Sequence, residues 1–414
     1  MQKNTALKTV WIISKYGSPK EYGLSSKPYR TAKFFSEHGI NTYLITSDSN
    51  HLADYPSSNQ TYNTEKLGKL QHIWIRTLKY KKSASYKRIL SWFAFEWHLY
   101  FLDRRRLERP DVVIISSLSL LTILYGVFLK RLYGCKLVFE VRDIYPLTLT
   151  EELGISACNP LVLLLKFVEK LGYRRADLIV GTMPNLRSHV QKVLGYTKDV
   201  FFSPLGVREI WTNPIKPSEE IDKLFPSNGR VVVGYAGSIG RTNALDRFVE
   251  AIKELKDYPC VHFVLVGDGD KKEKYVEDLQ GCPNVTIGPR IEEQYVPYFL
   301  SKCDILYLST HNSVVWEYGQ SMNKLVDYMM AGKPVIASYG GYPSMLNEAE
   351  SGVFIPPNST NAIIDAIRFY VEMDVNERNM IGLKGRHWIV DNYSNDVVCN
   401  RYLERLCALV TDKQ

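Results

Sequence analysis

The chain repeats one pattern of alternating strands and helices in each of its halves. In the first half, an apolar strand at Thr9–Ile13 is followed by a glycine-containing loop, a helix over about 28–38 and a second strand. The same order recurs in the second half, with a strand at Arg230–Ala236, a helix over about 244–256 and a strand at Val261–Val266. Two copies of this unit predict two domains of similar construction.

Short apolar strands continue between helices in both halves. They are predicted at Asn41–Thr46, Val112–Ser116, Lys136–Val141, Asp177–Gly181, Val200–Ser203, Val285–Ile287, Ile305–Leu308, Val335–Ser338 and Gly352–Ile355. Such alternation implies parallel sheets that are covered by helices on both faces. We therefore predict an α/β chain of two doubly wound domains, which bind ligands at the carboxyl ends of their strands and face each other across a cleft.

The boundary between the domains is predicted in the proline-containing stretch 204–226, which has no clear hydrophobic periodicity. We expect the first domain to span residues 1–205 and the second to span residues 206–390. The remaining segment, 391–414, contains a helix over about 397–410 that is expected to cross back to the first domain.

Composition excludes several classes of protein. The 414 residues are 45% hydrophobic and 23% charged, which is typical of a globular chain. The net charge of +8 suits phosphorylated ligands or an anionic membrane, while the absence of zinc-finger, homeodomain and RRM signatures argues against nucleic acid. The seven cysteines are dispersed and form no C-x-x-C, a reduced, cytosolic pattern.

Several catalytic motifs are also missing from the sequence. There is no H-E-x-x-H, no paired carboxylate motif and no G-x-S-x-G, so neither a metal site nor a serine hydrolase is expected. Neither glycine loop matches G-x-G-x-x-G, so the dinucleotide fingerprint is absent.

Two apolar segments leave alternatives open. The run 112–129 carries no charge, and we interpret it as a buried strand, a serine turn and a buried helix, with a membrane span as the alternative. The segment 86–107 is either an interfacial helix on anionic lipid or a buried helix with solvated ends. Its aromatic residues and basic flanks are Trp92, Phe93, Phe95, Trp97, Tyr100 and Phe101, with Lys79, Lys81, Lys82, Lys87, Arg88, Arg104, Arg105, Arg106 and Arg109.

One lysine lies where a helix disfavours positive charge. The stretch SMNKLVDYMMAGKPVIAS, from Ser321 to Ser338, predicts a helix capped by Ser321, ended by Gly332 and followed by a buried strand. Lys324 falls in the first turn, beside the positive end of the helix dipole. It either helps to bind an anion at that helix start or is an ordinary solvated lysine.

These motifs resemble glycosyltransferase family 4, whose members have the two-domain GT-B fold. The resemblance spans nearly the whole chain and is most specific in the second half. The matching segments are GSIGR from Gly237, VLVGDG from Val264, YFLSKCDILYLS from Tyr298, the stretch Ser321–Ser338, GGYP from Gly340, and Glu348 to Pro357. FEVRDIYP from Phe139 resembles the branch that makes bacterial O-antigen and capsule polysaccharides, including amino-sugar transferases.

The resemblance implies a retaining transfer from a nucleotide-sugar, expected to be UDP-linked, onto a lipid-diphosphate-linked or saccharide acceptor, without a cofactor or an obligatory metal. Cations and helix N-termini then have to stabilise the leaving diphosphate. The implied catalytic residues are Asp143, Lys324 and Arg241. The implied donor-binding residues are Gly237, Ser238, Gly240, Arg241, Ser321, Asn323, Lys324, Asp327 and Glu348.

On the acceptor side the resemblance implies Gly17, Arg30, Arg142 and Asp143. Asp143 is expected either to bind the acceptor hydroxyl or donor sugar, or to be a turn carboxylate before Tyr145-Pro146. Arg142 either faces the sugar or pairs with Glu140. Asp327 is expected to bind ribose or sugar hydroxyls or to orient Lys324.

The chain departs from the family pattern at four positions, two of which are Asp327, where many members have the second of two glutamates eight residues apart, and Arg142, where the family has a histidine. Gly319 stands where many members have a glutamate, with Glu317 two residues earlier, and Asn243 stands where many have a lysine. The competing interpretations are a nucleotide-sugar 2-epimerase of the same fold and a non-catalytic partner subunit. For the transferase we expect a cytoplasmic protein that is peripheral on the inner face of the plasma membrane.

Overall fold

The computed structural model describes residues 7–23, 25–50, 53–80, 86–213, 215–227 and 229–411. The chain divides into two compact units. Unit 1 comprises Met1–Leu205 with Asn395–Gln414, and unit 2 comprises Gly206–Ser394. The boundary expected at 390 falls inside a helix, Val375–Tyr393, because its last turns are held in unit 2 by the buried Ile389 and Tyr393.

Unit 1 contains an eight-stranded sheet with helices packed on it. The strands of this sheet are β1 (Thr9–Ile13), β2 (Asn41–Ser47), β5 (Tyr62–Leu67), β6 (Leu70–Ile75), β7 (Val112–Ser116), β8 (Lys136–Val141), β9 (Leu178–Gly181) and β10 (Val200–Phe202). Two short strands, β3 (Ser49–Asn50) and β4 (Ala53–Asp54), pair as a separate two-stranded sheet. The helices of unit 1, numbered along the whole chain, are α1 (Lys27–Glu37), α2 (Tyr86–Phe101), α3 (Thr122–Tyr133), α4 (Leu147–Glu151), α5 (Pro160–Arg175), α6 (Leu186–Leu194) and α15 (Asn395–Thr411).

The order of the large sheet is β10-β9-β8-β7-β1-β2-β6-β5, and every pair is parallel except β5 with β6. The central strands β1 and β7 are buried along their whole length, as their continuous apolar sequences predict. The hairpin of β5 and β6 was not predicted. Gly68, at φ +59°, provides the left-handed turn between them.

The uncharged run 112–129 folds as the buried strand β7, a turn and the first part of α3. Val113 and Leu129 are both completely buried, so the apolar character serves the core of unit 1. Within the described ranges, none of the helices combines the length and hydrophobicity that a membrane span requires.

Unit 2 is built around a six-stranded, wholly parallel sheet of order β13-β12-β11-β14-β15-β16. Its strands are β11 (Val231–Ala236), β12 (Val261–Val266), β13 (Val285–Gly288), β14 (Ile305–Ser309), β15 (Val335–Ser338) and β16 (Gly352–Ile355). Its helices are α7 (Glu219–Asp222), α8 (Asp246–Glu254), α9 (Lys272–Asp278), α10 (Val296–Lys302), α11 (Asn323–Met330), α12 (Met345–Glu348), α13 (Thr360–Glu372) and α14 (Val375–Tyr393). Parallel strands bring the loops after β11, β12 and β14 to one edge of the sheet.

The C-terminal helix α15 packs against α1 in unit 1. The ring of Tyr402 meets that of Phe35 edge-on at 5.9 Å, and Cys399 and Leu406 are buried in the same cluster. The last helix therefore completes the hydrophobic core that β1 and β2 begin.

Candidate functional site

Lys324 extends from the first turn of α11 to the end of β11. Its Nζ donates hydrogen bonds of 2.9 Å to the Tyr235 hydroxyl and the Asn243 amide oxygen, and it lies 4.4 Å from the centre of the Tyr235 ring. Within the described ranges, no carboxylate forms an ion pair with it. Burial lowers the pKa of Lys324 to about 7. The described part of the protein therefore provides no negative charge that balances the ammonium group of Lys324.

The N-terminus of α11, next to Lys324, has no side-chain cap. The capping residue is Met322, in extended conformation, and no side chain caps the helix. The prediction that Ser321 is the cap was therefore wrong, because the helix begins two residues later and the Met322 N–H donates to the Gln320 side chain at 3.2 Å. The first N–H groups of α11 thus have no side-chain acceptor, and they add to the positive potential around Lys324.

The glycine loop after β11 packs closely against the loop after β12. A side chain at Gly267 would place its Cβ only 1.8 Å from the Gly237 carbonyl oxygen, and a Cβ at Gly237 would lie 2.8 Å from Lys324 Nζ. Glycine is required at both positions so that the two loops and the lysine fit together.

Only part of this loop is available to bind an anion. The N–H groups of Gly237 and Ile239 already donate to the carbonyl oxygens of Val266 and Asp268, at 3.0 and 2.9 Å. The N–H groups of Ser238 and Gly240 donate to no acceptor in the part of the chain that the structure describes. The loop therefore offers two backbone donors rather than four.

Arg241 begins the short 3-10 turn that follows the loop. Its side chain is 83% exposed and pairs with Asp270 at 3.2 Å, and its N–H also donates to Asp270 at 3.2 Å. The turn is fixed from the β14 side, where the Ser309 hydroxyl donates to the Asn243 carbonyl oxygen at 2.7 Å and His311 contacts the Arg241 carbonyl oxygen. The turn thereby presents the Asn243 side chain to Lys324.

The Asp327 carboxylate is held by residues other than Lys324. It is buried, its Oδ1 accepts from Arg208 Nε at 3.0 Å and from Trp211 Nε1 at 2.8 Å, and its Oδ2 accepts from the same guanidinium. Three N–H donors therefore contact this carboxylate and none of them belongs to Lys324, so Asp327 does not orient Lys324, while a role toward ribose or sugar hydroxyls stays a prediction. Burial raises the pKa of this carboxyl, and the contacts with Arg208 and Trp211 oppose the rise.

The remaining donor-side predictions lie at the surface of unit 2. Asn323 and Glu348 are exposed, at the start of α11 and the end of α12. Gly319 has φ +96°, which a glutamate adopts only with strain, so the local backbone explains the glycine at this position. Glu317 is exposed in the preceding 3-10 helix, Val314–Tyr318.

On unit 1, Asp143 is exposed just after the carboxyl end of β8. Its backbone is fixed by Ser117, whose hydroxyl donates to the Asp143 carbonyl oxygen at 3.2 Å and accepts from the Arg142 N–H at 3.0 Å. Arg142 forms no ion pair with Glu140 among the described residues. Glu140 instead accepts from Tyr402 at 3.3 Å and lies 3.9 Å from Lys27.

Two residues predicted on the acceptor side are buried inside unit 1. Arg30 is buried and donates to the carbonyl oxygens of Ser25 and Leu205, at 2.7 and 2.9 Å, and to the Asn395 side chain at 3.3 Å. Its guanidinium is therefore engaged by three acceptors inside unit 1. Gly17 is buried, and a Cβ there would lie 2.6 Å from Thr46. It is a glycine because the strands leave no space for a side chain.

The sequence analysis missed a charged cluster at the same edge of unit 1. Lys15 follows β1, is 1% exposed and donates to the Ser49 carbonyl oxygen at 3.0 Å; burial lowers its pKa to about 7. Glu96 accepts from the Ser119 and Thr122 hydroxyls at 2.7 and 2.5 Å, and burial raises its pKa to about 7. A lysine two residues after a buried strand is the sequence signal that could have indicated this cluster.

Helix α2 has two different faces. One face is buried through Ser91, Phe95 and Leu99. On the same side, Trp92 Nε1 and Arg88 Nε donate to the Tyr16 hydroxyl at 2.9 and 3.2 Å. The opposite face leaves large apolar side chains in solvent, namely Ile89, Leu90, Phe93, Trp97, Tyr100 and Phe101. The exposed face is at odds with a helix that is buried all round, while the interfacial helix on anionic lipid stays a prediction.

The described residues contain no group of three or more histidine, cysteine, aspartate and glutamate side chains arranged to hold a metal ion.

Comparison with known proteins agrees with this architecture. Residues 230–372 match the family described as Glycosyl transferases group 1. The chain is 22% identical to the probable glycosyltransferase WbjE of Pseudomonas aeruginosa over 318 residues, covering 75% of this chain and 77% of WbjE. It is also 22% identical to the putative colanic acid biosynthesis glycosyl transferase WcaI of Escherichia coli K12 over 307 residues, covering 70% and 73%.

Among solved structures, the chain is similar to Anabaena Alr3699/HepE in complex with UDP, with a TM-score of 0.65 and 14% identity, covering 97% of this chain and 100% of that one. At this identity the similarity establishes the fold. The similarity in fold, the matched family and the two parallel sheets agree with one another. Residues 230–372 form a glycosyl transferases group 1 domain, and the chain is a glycosyltransferase with the GT-B fold.

Proposed function

We propose that this protein transfers a sugar from a UDP-linked donor to a lipid-diphosphate-linked saccharide, with retention of configuration, during the synthesis of a bacterial surface polysaccharide. The assignment of the donor site rests on Lys324. Its ammonium group is partly buried at an uncapped helix start and has no carboxylate partner among the described residues. UDP is chosen because HepE, which has the same fold, was solved with it. The polysaccharide context comes from the name of WcaI.

Lys324 has a chemical role in this proposal. Breaking the bond between the sugar C1 and the donor phosphate oxygen develops negative charge on the leaving diphosphate, while a bond forms from C1 to the acceptor oxygen and the acceptor hydroxyl gives its proton to the leaving phosphate oxygen. Lys324, the start of α11 and the N–H groups of Ser238 and Gly240 stabilise that leaving charge, and Arg241 adds to it from the rim. Losing one such contact typically costs about 3–4 kcal/mol in the barrier.

Unit 1 serves the acceptor in the same proposal. Asp143 is an exposed residue that follows the parallel strand β8, where doubly wound folds bind ligands, and its carboxylate can accept a hydrogen bond from a sugar hydroxyl. No metal is needed in this scheme because lysine and helix dipole carry the charge, so transfer should persist in excess EDTA.

The exposed face of α2 is proposed to rest on an anionic lipid surface. Phe93, Trp97 and Phe101 are 53%, 64% and 61% exposed. The basic side chains Arg105 and Arg106, 94% and 85% exposed, follow at the end of the helix. Aromatic and basic residues in this order suit the interface of an anionic membrane. Lys81 and Lys82, also expected in this basic flank, lie outside the described residues.

Exposed apolar side chains also occur on a helix near α2. Helix α3 contacts both α2 and α5, and α5 exposes Leu161, Leu164 and Phe167. An acceptor that carries a lipid diphosphate would be reached from such a surface, and this supports the proposal that the protein is peripheral on the inner face of the plasma membrane.

The test is a thermal-shift screen with UDP, GDP, TDP and their common sugar conjugates, repeated with Lys324→Ala. A ligand at 100 times its Kd stabilises the folded state by about 2.7 kcal/mol, which moves a melting curve by several degrees. We expect a shift with the uridine compounds that Lys324→Ala removes. A shift with another base reassigns the donor, donor turnover without acceptor favours the epimerase, and no shift at all favours a non-catalytic subunit.

A further inference from the structure

The chain enters unit 2 through a short segment that contacts α11. The first residues of the unit are Gly206, with φ +75°, and Val207, whose N–H donates to the Tyr393 carbonyl oxygen at 2.8 Å. Arg208 and Trp211 follow, and both donate to the Asp327 carboxylate in the middle of α11. We call residues 206–211 the entry segment. It is fixed at its backbone by α14 and at its side chains by α11.

Arg208 connects three elements of unit 2. Its guanidinium makes a two-pronged contact with Asp327 on α11, and its remaining nitrogen pairs with Glu293, which follows β13. Arg208 and Asp327 side chains are 14% and 5% exposed, so water competes little with the pair. Such a fork fixes direction as well as distance, which a single hydrogen bond does not.

Asp327 lies one turn beyond Lys324 on the same helix. The next residue, Tyr328, is held from another side, because its hydroxyl accepts from the Ala236 N–H at 3.0 Å and lies 3.3 Å from the Ala236 carbonyl oxygen. Asp327 and Tyr328 therefore hold α11 at two points around its axis. Releasing one of them lets the helix turn or shift, and Lys324 moves with it.

We propose that Arg208 and Trp211 are positioning residues that hold α11 so that Lys324 meets the donor diphosphate. This inference rests on the proposed function, since it assigns how the donor site is kept in place. Arg208 acts through Asp327 and the helix, and it does not bind the diphosphate. A displacement of about 1 Å at a reacting site can cost up to about 100-fold.

The experiment compares Arg208→Gln with Arg378→Gln by isothermal titration with UDP, in the full-length protein and well below each melting temperature. Arg378 is a suitable control, because it is also buried in unit 2 and donates to the Tyr370 carbonyl oxygen at 2.9 Å, on a different helix pair. We expect both variants to melt earlier but only Arg208→Gln to raise the Kd of UDP, by about tenfold. Trp211→Phe, which removes one donor and keeps a ring, should give a smaller change in the same direction.

A double-mutant cycle separates positioning from general loss of structure. In the Lys324→Ala background, adding Arg208→Gln should change the Kd of UDP less than about twofold, because the group it positions is gone. An undiminished effect in that background would overturn the inference and assign Arg208 an independent role. If Lys324→Ala weakens UDP binding and Arg208→Gln does not, the inference alone fails. If Lys324→Ala leaves UDP binding unchanged, the proposed function fails first.

Discussion

The amide oxygen of Asn243 accepts a 2.9 Å hydrogen bond from the ammonium group of Lys324. A lysine at position 243, where many members of the resembled family have one, would bring a second ammonium close to the first and repel it. Asparagine instead orients Lys324 without neutralising it. The departure from the family pattern at this position is therefore compatible with a cationic site and does not indicate a lost one.

Asn243→Asp should weaken donor binding. A carboxylate at this position would pair with Lys324, raise its pKa and repel an incoming diphosphate. We expect the Kd of UDP to rise by about tenfold or more, as 1.4 kcal/mol of lost attraction implies. Isothermal titration measures this, with Asn376→Asp, an exposed residue of the same unit, as the control for adding one negative charge. Equal affinity in the two variants would contradict the arrangement around Lys324.

The affinity for UDP should fall as pH rises above neutrality. Because burial lowers the pKa of free Lys324 to about 7, the ammonium form that attracts a diphosphate is lost above that pH in the unliganded protein. Binding then requires uptake of a proton, and Kd should rise by up to about tenfold per pH unit until the pKa of the bound state is reached. Titrations at about pH 6.5, 7.5 and 8.5 measure how the Kd of UDP changes with pH. Lys324→Met should flatten this dependence.

The same lowered pKa predicts a stability effect of the opposite sign. Between about pH 7 and 10.5 the unfolded chain keeps the Lys324 proton and the folded protein has lost it, so the cost of burying the charge disappears as pH rises. Lys324→Met should therefore have a higher unfolding free energy than the wild type below about pH 7, and this difference should shrink toward about pH 10. Urea unfolding at several pH values measures the difference. A constant difference across this range would show that the folded lysine keeps its charge.

Asp143→Asn should lower the rate of transfer without affecting nucleotide binding. If the carboxylate accepts a hydrogen bond from a sugar hydroxyl, the amide weakens that contact, and a charged hydrogen bond is worth about 1.5–3 kcal/mol, or roughly 10- to 100-fold. Initial rates with a lipid-linked acceptor measure it, with Asp391→Asn, another exposed aspartate, as the control. Activity near that of the wild type would leave Asp143 as a turn residue.

Replacing aromatic residues on α2 should release the protein from anionic vesicles. Trp97→Ser removes a side chain that is 64% exposed, and Phe369→Ser removes one that is 60% exposed on α13 of unit 2. Flotation with phosphatidylglycerol vesicles should show loss of binding for the first variant only, with the Kd of UDP unchanged in both. The same loss in both variants, or in neither, would argue against a membrane contact through α2.

The strands were the most predictable part of this molecule. Continuous apolar runs such as Val112–Ser116 have few alternatives to a buried parallel strand, and the predicted bounds differ from the structure by a residue or two. The hairpin Tyr62–Leu67 with Leu70–Ile75 was missed because its first strand is polar and largely exposed, so it carries little hydrophobic signal.

The site was less predictable because side chains of similar type have different partners. Lys324 and Asp327 lie three residues apart on one helix, and sequence spacing suggested that they touch. In the structure Lys324 extends to Tyr235, whereas Asp327 is held by Arg208, which is 119 residues away in sequence. Likewise, Arg30 looked like a substrate contact, but it satisfies carbonyl groups at Ser25 and Leu205. Local patterns do not specify such long-range partners.

The central claim is that Lys324 binds the diphosphate of a UDP-sugar, and comparing UDP with uridine tests it most directly. Isothermal titration of both ligands into the wild type and Lys324→Ala isolates the contribution of the phosphates. We predict that the substitution raises the Kd of UDP by about 100-fold, in line with the loss of one strong anion contact, and leaves that of uridine unchanged. Equal losses for both ligands, or no loss for UDP, would contradict the assignment of Lys324 to the donor phosphate.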